Sequence, residues 1–411
     1  MSSAAAPANP TEVDVLIAGA GLVGLALAAA LAESGLSIAL ADRAPVATPE
    51  FPDGSEDWDS RIYAVSPGSA GFLHGLGAWQ RLPCERIQAI ESMRVEGDRG
   101  GSIGFSAYDL GERALAWIVE ERRLRLALMP LVCAAGVAVL PPREFSTIGW
   151  SEAHAELRFT DGAAIRARLI VGADGLKSWV REAAGMHATP KPYRQTAVVA
   201  NFGCARAHHG RASQWFHDDG GVLAWLPLPG RRVSMVWSAP EALAQELLAL
   251  EPEALTAKVA VAGRCTLGAM TCITRAAAFP LYSLKLPAVI GHRLALIGDA
   301  AHGVHPLAGQ GVNLGFGDAD ALAAVLRARG GIADVGNPFL LSRYADRRAE
   351  PVQAMHMMTD GLVRLFGSTA PWVRTARNLG LAAVDRLPLA KRLLARPALR
   401  SLPPRFTGES R

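Results

Sequence analysis

Gly19, Gly21 and Gly24 form a Gly-x-Gly-x-x-Gly run, with Asp42 downstream. Glycines at that spacing allow a tight turn and let the backbone close on a pyrophosphate, whose charge suits the free N–H groups of a helix start. An acid at the end of the following strand can accept hydrogen bonds from an adenosine ribose. This cluster fits a dinucleotide without saying which one. The choice comes from a second cluster, Gly298-Asp299-Ala300-Ala301-His302, followed by His305-Pro306-Leu307-Ala308-Gly309-Gln310-Gly311-Val312-Asn313. Asp299, just past a short apolar strand, can bond the hydroxyls of a ribityl chain. The Gly309-Gln310-Gly311 turn opens a helix at Val312 and Asn313. Its N–H groups can meet the N1–C2=O edge of a flavin, where negative charge collects on reduction. NAD has no ribityl chain, so the two clusters together favour FAD. A third cluster, Ala173-Asp174-Gly175 with Ser178 and Arg181, sets an acid and a glycine at a strand end, where a pyrophosphate can be approached from the side. It reads equally as a capped helix start with a structural Ser178.

These clusters need elements to hold them. Val13 to Ala18 reads as a strand, Leu22 to Ser34 as an Ala/Leu-rich helix closed by Gly35, and Ser37 to Ala41 as a second strand ending at Asp42. Strand, glycine turn, helix and strand make a βαβ unit with a parallel pair. Pro45 to Trp58 reads as a loop and Ser66 to Leu76 as a helix. Ala116 to Val119 and Val137 to Leu140 read as strands around a helix through Leu124, Leu128 and Leu131. A hairpin turns at Asp161-Gly162 before the buried strand Leu169 to Gly172, and Leu294 to Ile297 is another buried strand. From Thr196 to Trp237 the pattern alternates and is rich in β-branched residues, as in antiparallel sheet. Beyond Tyr344 it is almost all helical.

One FAD must touch all three clusters, so its domain is discontinuous. The fold class expected is α/β: a discontinuous Rossmann-like FAD-binding domain (11–77, 112–182 and 279–360), an inserted, mostly antiparallel β-sheet substrate-binding domain (78–111 and 183–278), and a C-terminal helical region (361–411). A cleft between the intertwined domains would let a substrate meet the flavin.

Bulk features exclude other classes. Half the residues are hydrophobic and the net charge is +4, with no basic stripe interleaved with aromatics, which argues against nucleic acid. Cys84, Cys133, Cys204, Cys265 and Cys272 are scattered without Cys-x-x-Cys spacing and read as buried reduced thiols, with no metal site. The uncharged stretch Val15 to Ala32 is long enough to span a bilayer, but Glu12 and Asp14 precede it and the glycine run interrupts it. It reads as strand, turn and helix in a cytoplasmic protein. Arg386, Lys391, Arg392, Arg396, Arg400 and Arg405 follow one another with no acid among them. They make either a solvated helix face or a surface for anionic lipid or an acidic partner.

In this order the three clusters resemble those of the class A flavin monooxygenases, the group of para-hydroxybenzoate hydroxylase. Asp59-Ser60-Arg61-Ile62-Tyr63-Ala64, Leu76-Gly77-Ala78-Trp79, Tyr193-Arg194-Gln195, Gln214-Trp215-Phe216, Leu226-Pro227-Leu228 and the run from His305 to Gly315 resemble the ubiquinone-biosynthesis hydroxylases in particular. That resemblance covers roughly residues 12 to 400. It implies tightly held FAD, NADH or NADPH as a transient co-substrate, O2 taken up as a flavin C4a-hydroperoxide, and oxygen transfer to an electron-rich ring carbon of a phenol or quinol. It also implies Arg61 near FAD and Pro306 at the flavin face, shaping the oxygen-transfer pocket. His302 and His305 are then acid/base candidates or, alternatively, residues that orient the loop. Val119-Glu120-Glu121 departs from relatives that carry an FAD-bonding arginine there, and Asp42 is shorter than the more usual Glu.

A prenylated substrate lives in the bilayer. The enzyme would then work peripherally at the inner face of the cell membrane, or in a biosynthetic complex, docked through the basic C-terminal region with Leu393, Leu394 and Leu399. The rival readings are a hydroxylase of a small soluble phenolic compound, a lipid reductase or epoxidase, and a flavin-binding non-catalytic subunit of a biosynthetic complex.

Overall fold

A computed structural model describes residues 11–46, 57–306, 309–330, 334–368, 370–387 and 390–393. The first sheet runs, in spatial order, Ile290–Gly291, Leu294–Leu296, Ala164–Gly172, Glu12–Ala18, Ile38–Ala41 and Ala138–Val139. From Leu294–Leu296 onward these strands are parallel. Buried parallel strands must be apolar on both faces. Here Val15 and Ile17 pack under helices Leu22–Ala30, Glu121–Ala134 and Gly311–Arg327. Leu16 and Ala18 point the other way, into a core with Phe145, Leu157 and Phe159 of the appended hairpin Phe145–Trp150 and Ala155–Phe159. The first helix stops at Ala30, short of the expected Ser34, and the chain turns through Gly35 at φ +70°. Ala116–Glu120 does not join this sheet. It lies antiparallel between Ile62–Val65 and Gln88–Ile90 in a separate three-stranded sheet.

The larger sheet orders His302–Gly303, Ala277–Lys285, Lys191–Cys204, Arg232–Pro240, Val222–Leu228, Arg211–Phe216, Ser92–Glu96 and Ser102–Ser106, with Met270–Cys272 paired to Lys191–Cys204. All its pairings are antiparallel except Arg211–Phe216 with Ser92–Glu96. Helices Glu241–Ala249 and Pro252–Ala262 cover one face through a core of Phe202, Trp215, Trp225 and Leu247. The chain stays in this sheet through Lys285, past residue 279, and returns to it at His302–Gly303. Helix Pro338–Gly367 runs unbroken across the expected division at 360/361.

Helix Pro371–Asp385 is pinned by Arg377, whose side chain, 1% exposed, pairs with fully buried Asp98 and also donates to the carbonyls of Leu365 and Phe366. Burial pushes the Asp98 carboxyl up, but Arg377 and Asn378 outweigh it and bring it down to about 2. The cysteines differ from expectation: Cys84, Cys133 and Cys265 are exposed, since each sits in a short helical turn or at a helix end rather than under a sheet. Among the described residues no helix is long and apolar enough to cross a membrane.

Candidate active site

Strand register brings the three clusters together. Ala18 pairs with Ala41 on one side and Gly172 on the other, and Gly172 pairs with Leu296. The residues that follow each strand, Gly19, Asp42, Ala173-Asp174 and Gly298-Asp299, therefore share one edge, at the carboxyl ends of four adjacent parallel strands where open α/β sheets bind ligands. The glycines divide the work. Gly19, at φ +116°, approaches so closely that an added Cβ would collide with the Ala173 backbone, and one on Gly24 would collide with the Gly19 carbonyl. A Cβ on Gly21 or Gly311 would meet nothing within 4 Å. No side chain caps the helix starting after Gly21 or the one starting after Gln310. Both therefore present first-turn N–H groups and positive dipole potential to this open space.

The acids differ in what they hold. Asp42 accepts from Ala20 N at 2.7 Å and Ala44 N at 2.9 Å, bracing the glycine turn while staying half-exposed. Asp174 gives one oxygen to Ser178 Oγ and the other to Val180 N at 3.0 Å, while Ser178 caps helix Trp179–Ala183. Buried Arg181 donates to Ala300 O at 3.1 Å and Leu176 O at 3.0 Å, tying this turn to the Gly298 turn. Asp299 is different: its surface is open to water, yet it lies deep among protein atoms, as a side chain at the floor of a cleft does. That crowding pushes its carboxyl up, against the pull of His302 and Arg61.

Around the second cluster, Asn313 is wholly buried and sewn to the neighbouring strand. It donates to Ala64 O at 2.8 Å and accepts from Ser66 N at 2.9 Å. Gly309, at φ +62°, closes the turn onto Pro306 O at 2.8 Å. Leu307 and Ala308 lie outside the described residues. Gln310 is 5% exposed, and its Oε1 finds no donor among the described residues. An orphaned acceptor, two uncapped helix starts, two glycines facing open space and an accessible acid in one groove fit FAD.

Arg61 pairs with Glu121 at 3.0 Å, lies over the rings of Tyr63 and Phe279, and is close enough to Asp299 to feel its charge. Glu120, beside it, is buried and paired with Arg86 at 2.8 Å. His305 is 1% exposed, with Nε2 2.8 Å from Gln195 Oε1 and its ring edge-on to Tyr193.

The sequence reading missed a buried ion network behind the Asp299 turn. Fully buried Asp318 accepts from Gly298 N at 2.8 Å, meets His302 Nε2 at 2.6 Å and pairs with Arg348 at 2.6 Å. Tyr344 donates to Leu296 O at 2.8 Å. The signal for it was an aspartate within the apolar run of Val312 to Leu326. The antiparallel sheet expected to face the substrate supplies the other wall. Gln195, Ala197, Val199 and Asn201 share one face of their strand. The flavin-domain loops dock at its two ends, His305 on Gln195 and, through a 2.9 Å bond to its carbonyl, Asp59 on Asn201. Between them, roughly 20 Å along the strand, Val199 pairs with Val236, which on its other side pairs with Ala224. Val236 and Ala224 are half-exposed although their strands are central.

Residues 12–359 match the model of the FAD binding domain family. The chain is 37% identical to a ubiquinone hydroxylase, UbiL, of Rhodospirillum rubrum, covering 96% of this chain and 92% of that one. It is 35% identical to the 3-demethoxyubiquinol 3-hydroxylase of Escherichia coli, covering 95% and 99%. The chain belongs to the FAD-dependent hydroxylases of ubiquinone biosynthesis. As a member of that family it is a flavoprotein monooxygenase, with FAD as cofactor and NAD(P)H and O2 as co-substrates. The fold agrees. Pseudomonas aeruginosa PqsL in complex with 2-aminobenzoylacetate matches at a TM-score of 0.74 and 23% identity, over 90% of this chain and 100% of that one. Klebsiella pneumoniae HpxO complexed with FAD and uric acid matches at 0.72 and 19%, over 93% and 97%.

Proposed function

We propose that this monooxygenase hydroxylates the ring of a polyprenyl phenol or quinol, held between the turn at Pro306 and the half-open patch of Val236 and Ala224. The observation that carries this reading is the double docking on one sheet face, of His305 at Gln195 and of Asp59 at Asn201, with the half-exposed apolar side chains of Val236 and Ala224 beside the strand between them. The relatives, named for ubiquinone and demethoxyubiquinol, support the substrate class.

In this reading the amides after Gly19, Gly21 and Gly24 hold the pyrophosphate, Asp42 the ribose, and Asp299 the ribityl hydroxyls. Gly309, Gln310, Gly311, Val312 and Asn313 present the helix start to the ring. Bound FAD supplies hydride acceptance from NAD(P)H and activation of O2. Arg61 offers positive charge at the cofactor edge. Pro306 forms a wall with no N–H to donate, and His305 keeps that turn in place. Asp174 acts at one remove, by bracing Ser178 and Arg181. No strong acid or base need touch the ring carbon. The protein's share is positioning and exclusion of water.

A lipid-borne substrate calls for a membrane face, and helix Pro371–Asp385 offers one: Trp372 and Leu379 are 75% and 66% exposed on its outer side, with Arg386 and Arg392 beyond. Arg396, Arg400, Arg405, Leu394 and Leu399 of the expected docking region lie outside the described residues.

The test uses purified holoprotein, NAD(P)H and O2 with a prenylated phenol and with the same phenol lacking its tail. A hydroxylated product formed much faster from the prenylated compound supports the reading. Equal turnover of the two moves the function to a small soluble phenol, and NAD(P)H oxidation that neither compound stimulates leaves a non-catalytic flavin subunit.

A further inference from the structure

Strand Lys191–Cys204 pairs with Ala277–Lys285 at Pro192↔Tyr282 and then not until Thr196↔Pro280. Four steps on one strand face two on the other, so the segment Tyr193, Arg194 and Gln195 bulges relative to Ala277–Lys285, a device common beside active sites, while Gln195 stays paired with Pro240 on the other side. Within it Arg194 takes φ +56°, a left-handed conformation that residues other than glycine adopt only where their surroundings fix them. The surroundings here are specific. Tyr193 OH donates to Asp360 Oδ1 at 2.7 Å, and Lys285 holds the other Asp360 oxygen at 2.8 Å. The Tyr193 ring meets the His305 ring edge-on, centroids 4.8 Å apart. Gln195 Nε2 donates to Gly220 O at 3.0 Å, which commits the amide nitrogen and turns Oε1 to His305 Nε2 at 2.8 Å. An amide oxygen only accepts, so His305 Nε2 must carry the hydrogen.

We propose that the Tyr193–Gln195 bulge is a positioning clamp: Gln195 fixes His305 as its Nε2–H tautomer, and Tyr193, tied through Asp360 to helix Pro338–Gly367, fixes the tilt of the ring. The clamp sets the height at which Pro306 and the Gly309–Gly311 turn meet the flavin. This rests on the reading that places the flavin ring at that turn. Gln195 and Tyr193 act through His305 and are positioning residues. Neither side chain takes part in the backbone pairing, which holds at Gln195 with Pro240 and resumes at Thr196 with Pro280.

The test is side-chain NMR of 15N-histidine-labelled protein, with and without FAD. Wild type should show a slowly exchanging Nε2–H proton on His305. Gln195→Leu should lose that protection, and Gln195→Glu, which keeps an acceptor at the same reach, should retain it. In the loaded enzyme Gln195→Leu should lower kcat about tenfold with KM within about twofold, and raise the share of NAD(P)H recovered as H2O2. An Nδ1–H tautomer in wild type overturns the clamp. So does a protected Nε2–H in Gln195→Leu with unchanged kcat. Should Gln195→Leu not fold, the wild-type tautomer and Gln195→Glu still decide. FAD loading separates the underlying reading: if His305 is protected but its resonances do not move when FAD binds, the hydrogen bond stands and the placement of the flavin ring falls.

Discussion

Two buried groups in and beside the Gly298–Gly311 segment respond to pH in ways their surroundings dictate. Burial pushes His305 down to about 4, and the more distant Asp360 opposes this without reversing it. Unfolded, the same ring titrates near its ordinary 6.5. Between those values the unfolded chain binds more protons, so stability rises with pH across that window and is fully present above it. His305→Gln should flatten a plot of unfolding free energy against pH in this range by up to ~1.4 kcal/mol per pH unit. An unchanged slope would mean that His305 is not held neutral by burial. Asp318 behaves differently. Burial raises its carboxyl, but His302 and Arg348 prevail and hold it below 3.8. Its contribution is therefore present above the ordinary carboxylate value and lost as pH falls through the lower folded one. Asp318→Asn removes the carboxylate paired with buried Arg348 and should cost about 3–5 kcal/mol in urea unfolding. Asp299→Asn, at an accessible acid, should weaken FAD binding and leave apoprotein stability almost unchanged. If the two variants behave alike, the separation of brace from ligand contact is wrong.

At the scale of elements, the glycine turn allows a sharper comparison. Gly24→Ala drives a Cβ into the Gly19 carbonyl, so it should lower both apoprotein melting temperature and FAD affinity. Gly21→Ala meets no protein atom, so the apoprotein should melt as before while FAD affinity, read by flavin fluorescence titration, drops at least about tenfold, because the methyl group occupies space needed by the pyrophosphate. A Gly21→Ala protein that binds FAD normally would place the pyrophosphate elsewhere. These elements were legible from the sequence because their signals are local: an apolar strand, glycines at fixed spacing, a helix with no cap of its own. The row of strand ends was legible only by requiring one FAD to touch three distant clusters. What stayed hidden depends on pairing between distant strands. Nothing in Ala116 to Val119 says that it will pair antiparallel with Ile62–Val65 instead of joining the parallel sheet. The bulge at Arg194 is invisible in an alternating pattern, since a two-residue slip leaves hydrophobic alternation intact on both sides. Asp318 was visible as a charge in an apolar run, but its partner Arg348 lies thirty residues on, in another helix.

At the scale of the molecule, the C-terminal helices join a rigid anchor to a face that no described residue covers. Arg377 and Asp98 pair in the dark between helix Pro371–Asp385 and the hairpin at 97–101, and Asn378 bonds Gly101 N at 3.0 Å. The helix therefore cannot roll to hide Trp372 and Leu379, which must face either water or another surface. Tryptophan suits a headgroup boundary, and the neighbouring Arg386 and Arg392 suit anionic lipid; the nearby Asp385 accepts from Gly104 N and from Lys391 and adds little net negative charge to that face. Replacing both outward residues, Trp372→Ala with Leu379→Glu, should reduce co-sedimentation with vesicles containing an anionic phospholipid by about tenfold or more, while melting temperature and FAD content stay at wild-type values because the buried Arg377–Asp98 side is untouched. Raising salt should weaken wild-type binding, as it screens the arginine share of the attraction. Truncation after Asp385 removes the arginines but keeps Trp372 and Leu379, so it should weaken vesicle binding chiefly at low salt and leave FAD content unchanged. Should the double variant bind vesicles as wild type does, the outer face of this helix is no membrane surface, and the proposed docking through Trp372 and Leu379 falls.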